Sequence, residues 1–137
     1  MAITKTASGS EGSEVLDNID VEASNGSYTD GGDSYGDYVS NLDFDLIVTN
    51  NNKQSATIVI TLKYLNAYVD GSVRDITIAT KQFVLGKDET GTQHISYPDT
   101  IYYLAGDVSE KVTLSAEIVV TINSNHYNQT RTIKVYK

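Results

Sequence analysis

The sequence predicts an all-β fold of about seven to eight antiparallel strands in two packed layers, and three observations carry that expectation. From residue 42 onward apolar side chains recur at every second position, the period of a half-buried strand. Turn residues interrupt the alternation at short intervals. No segment shows the apolar spacing of an amphipathic helix, while β-branched residues and tyrosine are plentiful.

The elements follow in order. Residues 1–13 are rich in Ser and Gly and read as a flexible N-terminal arm, with too little apolar side chain to offset the entropy of ordering. Glu14 to Glu22 is expected to form a first strand at a sheet edge, and deleting residues 1–22 is expected to leave the sandwich folded but weaken assembly. Residues 24–40 read as a long acidic loop of Gly, Asp, Ser and Tyr. Leu42, Phe44, Leu46 and Val48 then share one face of a strand. Asn50-Asn51-Asn52 is read as a turn, because Asn tolerates left-handed backbone.

Ile58, Ile60, Leu62 and Tyr64 mark the next strand, and Asp70-Gly71 is a strong hairpin signal. Ile76 and Ile78 have opposite parity to Phe83 and Leu85, which predicts a bulge or break near Ala79-Thr80. Gly86 to Gly91 is a turn, and short strands follow at 92–97 and 100–104 around the single proline, Pro98. Residues 105–107 turn again. Val112, Leu114, Ala116, Ile118, Val120 and Ile122 alternate without fault, Asn123-Ser124-Asn125 closes a hairpin, and Tyr127 to Tyr136 is the last strand. Residues 14–137 thus read as one domain.

The chain has 137 residues, no cysteine and a formal charge of −8. Disulfides and cysteine metal sites are excluded. No run approaches the roughly 18 apolar residues of a membrane span, and residues 1–10 lack the apolar core of a signal peptide. Residues 1–45 carry ten acids and one base, a net −9, whereas residues 46–137 carry a net +1. That asymmetry argues against nucleic acid as a partner of the N-terminal third.

Catalytic chemistry has little to stand on. His94 and His126 both sit in polar contexts, and His94 with Ser96 lacks a nucleophile elbow or a Gly-rich oxyanion loop. No catalytic residue and no cofactor is assigned. Asp30, Asp33 and Asp37 on a glycine-rich segment invite a calcium test, but their spacing is not that of an EF-hand, and no ligand set is assigned. The triplets beginning at Asn25 and Asn128 match the N-glycosylation pattern, a common chance match that is discounted.

Ten of the twelve aromatic residues are tyrosines. Tyr28, Tyr35 and Tyr38 fall in the acidic segment with Asp30, Asp33 and Asp37, and these six residues are the candidate interaction surface. Two outcomes weigh equally for the tyrosines: contact with a partner, or folding back over an open edge of the same domain.

The run from Phe44 through the Asn-rich turn to Leu62 resembles a hairpin of immunoglobulin-like modules of the bacterial cell-adhesion-related (CARDB-like) kind. The segments Val69-Asp70-Gly71 and Phe83 to Thr90 resemble the later part of the same layout. The resemblance covers roughly residues 42–136, and the N-terminal arm has no counterpart in it. It implies an immunoglobulin-like antiparallel β-sandwich. Such modules recur on the outsides of tailed-phage capsids and tails and in bacterial surface adhesins. The expectation is a non-enzymatic virion structural protein, a capsid decoration or auxiliary protein. It would be assembled in the host cytoplasm and bind major capsid or tail subunits or copies of itself, with no membrane insertion. The alternatives are an adhesin module at the cell surface or outside the cell, and a carbohydrate-binding accessory domain.

Overall fold

A computed structural model describes residues 10–104 and 106–137. The fold is nearly all β: a short helix α1 (Ser10–Asp17) and eight strands, β1 (Ile19–Asp33), β2 (Gly36–Asn50), β3 (Ala56–Val69), β4 (Ser72–Leu85), β5 (Glu89–Tyr97), β6 (Ile101–Tyr103), β7 (Lys111–Ile122) and β8 (Asn125–Tyr136). Every pairing is antiparallel. β2 pairs with β1 on one edge, and on the other with β5 and then β6. β3 lies between β4 and β7, and β7 pairs with β8. β6 touches β3 at Ala67↔Tyr103 and so joins both groups into one curled sheet.

The curl encloses a single apolar core. Leu42, Phe44, Leu46 and Val48 of β2 face it, with Ile58, Ile60 and Leu62 of β3 and Val112, Leu114, Ala116, Ile118 and Val120 of β7. These are the positions the period-2 pattern marks, because a strand directs alternate side chains to opposite faces.

Two expectations near the N-terminus are corrected. Residues 1–9 of the expected arm lie outside the described residues, but Ser10 to Ser13 open a helix. Glu14 to Asp17 continue that helix, and the first strand begins only at Ile19. The helix docks through Leu16, which is fully buried, and Arg131 of β8 donates to the carbonyls of Leu16 and Ile19 at 2.5 and 2.7 Å. A guanidinium thus satisfies the Leu16 carbonyl, which a helix C-terminus leaves without a partner, together with the first carbonyl of β1. Leu16 and Ile19 both belong to the core, so removing residues 1–22 would open it.

The long acidic loop expected at 24–40 is instead paired backbone. β1 and β2 form a hairpin of fifteen residues a side, joined only by Ser34 and Tyr35. Gly, Asp and Ser disfavour strands, but pairing across the hairpin satisfies their backbone groups and overrides the weak local preference. Register shifts fall beside Asn25 and Asn41, whose φ values are both +53°. The register of β3 with β4 shifts between Tyr64 and Ala67, around Asn66 at φ +60°. Asn adopts left-handed backbone more readily than most residues, which suits it to these bulges.

The expected break in β4 occurs at Ile78. Leu62 pairs with Ala79 and Lys63 with Thr77, leaving Ile78 as the extra residue. Asp70-Gly71 and Asn123-Ser124 both have positive φ at both positions, as two-residue hairpin turns require. Gly26 is fixed by a close approach: a Cβ there would lie 2.2 Å from the carbonyl oxygen of Tyr136, where β1 crosses β8.

Candidate interaction surface

The tip of the β1–β2 hairpin brings the six acidic-segment residues together and then divides them between two faces. Gly31, Tyr38 and Tyr102 form one cross-strand row, since Gly31 pairs with Tyr38 and Tyr38 with Tyr102. Asp30, Val39 and Ile101 form the neighbouring row, and Val39 and Ile101 are in the core. The first row therefore lies on the outer face and the second on the inner face.

On the outer face, Tyr102 meets two rings edge-on. Tyr38 lies 5.8 Å away at an interplanar angle of 75°, and Tyr35 lies 6.2 Å away at 65°. Asp33 anchors the group. One carboxylate oxygen accepts from the Tyr35 backbone N–H at 2.8 Å, and the other from the Tyr102 hydroxyl at 2.7 Å. The Tyr102 hydrogen bond holds the Asp33 carboxyl below its ordinary pKa, and the same bond raises the phenol. The Tyr38 ring lies across Gly31, where a Cβ would be 2.9 Å from the ring carbon Cζ. Tyr35 is 80% exposed, the most solvent-accessible large apolar side chain among the described residues.

The inner face is closed at Tyr28, while Asp37 on the same side is exposed. Tyr28 is buried, and its hydroxyl donates to the Val108 carbonyl. The Lys137 ammonium sits 5.1 Å from the centre of the Tyr28 ring and bonds Asp30 at 2.5 Å. That hydrogen bond lowers the Asp30 pKa, while burial raises that of Tyr28. Asp37 pairs with Tyr103 on this side. The tyrosines thus follow both outcomes weighed from sequence: Tyr28 folds back, Tyr35 is open to solvent, and Tyr38 is half-buried.

Tyr102 is the residue that sequence reasoning missed. It lies far along the chain on β6, and only the β2–β6 pairing brings it to Tyr38. The run Ile101-Tyr102-Tyr103 in so tyrosine-rich a chain was the available signal. Asp30, Asp33 and Asp37 do not converge, since Asp33 shares the outer face with Tyr102 while Asp30 pairs inward with Lys137. Among the described residues no group of three or more His, Asp or Glu side chains is placed to hold a metal ion.

His94 bridges two carboxylates on the outer face of β2 and β5. Nδ1 lies 3.0 Å from Asp45, and Nε2 lies 3.1 Å from Asp43. His126 shares a 2.8 Å hydrogen bond with Thr121. A groove of about 530 Å³ opens where β3 and β7 part beyond Lys63↔Ser115, lined in part by Leu65, Val73, Leu104 and Lys111. Among the described residues no helix is long and apolar enough to cross a membrane.

No family model matches the chain, and no curated protein matches it. One solved structure similar in part is Pseudomonas fluorescens alkylpurine DNA glycosylase AlkC bound to DNA containing an abasic site analog. The match has 11% identity and a TM-score of 0.31, and it covers 85% of this chain and 30% of that one. A likeness at that score carries no argument about fold or function.

Proposed function

We propose that this chain is an immunoglobulin-like β-sandwich that works by binding, as a virion structural protein of the capsid-decoration kind. The strand order supports the sandwich. β1-β2-β5 forms one group and β4-β3-β7-β8 the other, which follows the immunoglobulin-like opposition of the first, second and fifth strands to the third and last two, with β4 here beside β3.

The observation that carries the binding role is the outer face of the β1–β2 tip. Tyr38 and Tyr102 on paired strands and Tyr35 in the turn between β1 and β2 offer aromatic area, and Asp33 holds the Tyr102 hydroxyl and the Tyr35 backbone. Large side chains held in place lose little entropy on contact, which is why tyrosine is common in recognition surfaces. The partner in this reading is a repeating protein surface, capsid or tail subunits, reached from outside.

The test is co-sedimentation of the purified chain with particles lacking it. Replacing Tyr35, Tyr38 and Tyr102 together by Ala is expected to weaken binding at least tenfold, as loss of a hot spot does. Undiminished sedimentation of a folded triple variant would sink this reading. The open Tyr35 ring beside a carboxylate also favours a second reading, a surface adhesin or carbohydrate-binding module in which a sugar stacks on tyrosine. Binding on a glycan array that is lost in Tyr35→Ala, with no particle binding, would select it.

A further inference from the structure

We propose that the outer face of the β1–β2 tip is a receptor for a cationic side chain, an arginine or lysine presented by the protein partner. The proposal rests on the reading that the chain binds through this tip, and it names what the tip recognises.

The inner face of the same hairpin shows the chemistry already filled. Lys137 stands over the Tyr28 ring at 5.1 Å and bonds the Asp30 carboxylate. One ammonium thus takes a π face and a carboxylate together. The outer face repeats those two components: the Asp33 carboxylate beside Tyr35, Tyr38 and Tyr102. Among the described residues no lysine or arginine pairs with Asp33.

The geometry leaves room for such a guest. Both ring pairs meet edge to face, so each contact covers one face of one ring and leaves other ring faces uncovered, and Tyr35 is 80% exposed. The Asp33 carboxylate accepts from the Tyr102 hydroxyl and from the backbone of Tyr35 and Gly36, and a carboxylate with about four acceptor positions still has room for a further donor. A cation above a tyrosine face within about 6 Å is attracted by the ring quadrupole, and arginine is the commonest such guest. The field favours it too, because residues 1–45 carry a net −9 and would repel an anionic partner.

The experiment follows the ring resonances of Tyr35, Tyr38 and Tyr102 by NMR in the full chain. The probes are acetyl-Gly-Arg-Gly-amide, the same peptide with norleucine for arginine, and cellobiose. The arginine peptide is expected to shift these rings saturably, and the other two are not. Tyr35→Phe keeps a π face and should bind as before, whereas Tyr35→Leu and Asp33→Asn should each bind about three- to tenfold more weakly. Equal shifts from norleucine or cellobiose, or no saturable shift from arginine, overturns the proposal.

Particle sedimentation of the folded variant with Tyr35, Tyr38 and Tyr102 all replaced by Ala, set beside arginine-peptide binding by the wild-type chain, separates the two ideas. Lost sedimentation with an inert arginine peptide removes the cation receptor and leaves binding through the tip intact. Unchanged sedimentation with a binding arginine peptide removes the lattice reading and leaves the receptor.

Discussion

Asn50 donates its side-chain amide to the main-chain carbonyl of Leu85 at 3.0 Å, from a fully buried position thirty-five residues away. The same nitrogen reaches the carbonyls of Gln54 and Gly86, and the side-chain oxygen accepts from the backbone and side chain of Asn52. Asn50 therefore ties the end of β2 to the turn before β3 and to the end of β4. Asn50→Ala removes all of this and strands buried carbonyls, at a cost of about 3 kcal/mol. Asn50→Asp should be at least as harmful, because a buried carboxylate would face carbonyl oxygens. Urea melts check both. A loss below about 1 kcal/mol for Asn50→Ala would show that water replaces the amide there.

A steric prediction follows from the crossing of β1 and β8. Gly26→Ala places a Cβ 2.2 Å from the Tyr136 carbonyl oxygen, part of a backbone that cannot swing aside. The expected loss is about 2 kcal/mol, in the range of overpacking. Gly31→Ala meets only the Tyr38 ring, the far end of a movable side chain. It should cost less than about 1 kcal/mol but shift Tyr38 against Tyr102, and so weaken binding at the tip. Equal destabilisation by the two variants in thermal melts would contradict this difference.

These two sites show where sequence legibility stopped. Alternation made β2, β3, β7 and β8 readable because each has one buried and one open face. It failed over residues 24–40, where strand pairing stabilises a sequence without strand preferences and Asn25 and Asn41 shift the register. The Asn50 to Asn52 turn was expected for the wrong reason. None of the three has a positive φ, and Asn50 and Asn52 work through side-chain hydrogen bonds. At the tip, tyrosines and acids were visible as composition, but their division into open and closed faces depends on bulges and on β6, which only the folded sheet reveals.

Helix α1 is held by two distant side chains, Arg131 at Leu16 and Asn52 at the Val15 carbonyl. Arg131→Ala removes the donor to Leu16 and Ile19, and should cost about 2–3 kcal/mol, as for hydrogen bonds from a charged group. Arg131→Lys should rescue little, because one ammonium does not reproduce the two-pronged guanidinium. Hydrogen exchange checks it at the Asn18 amide, which bonds the Glu14 carbonyl at 3.3 Å. Wild-type protection of Asn18 in Arg131→Ala would mean that Leu16 burial and the Asn52 bond to the Val15 carbonyl hold the helix without the guanidinium.

The His94 bridge makes stability depend on pH with a definite sign. Hydrogen bonds to Asp45 and then Asp43 raise the His94 pKa above its ordinary value, because both ring nitrogens donate only in the imidazolium form. A raised folded-state pKa means the contribution is complete below the unfolded histidine value, about 6.5, and is lost as pH rises through the folded value. Asp45 is shifted the other way, lowered first by Asn25 and then by His94. Its contribution is complete above the unfolded aspartate value, about 4, and is lost as pH falls through the lowered value. The bridge is therefore fully formed between about pH 4 and 6.5 and weakens toward alkaline pH. His94 is exposed and Asp45 half-buried, so salt should screen part of the effect. An NMR titration of the His94 ring should give a pKa above 6.5 at low salt, moving down in Asp45→Asn. A wild-type value at or below 6.5 would mean the two carboxylates do not hold the imidazolium in solution.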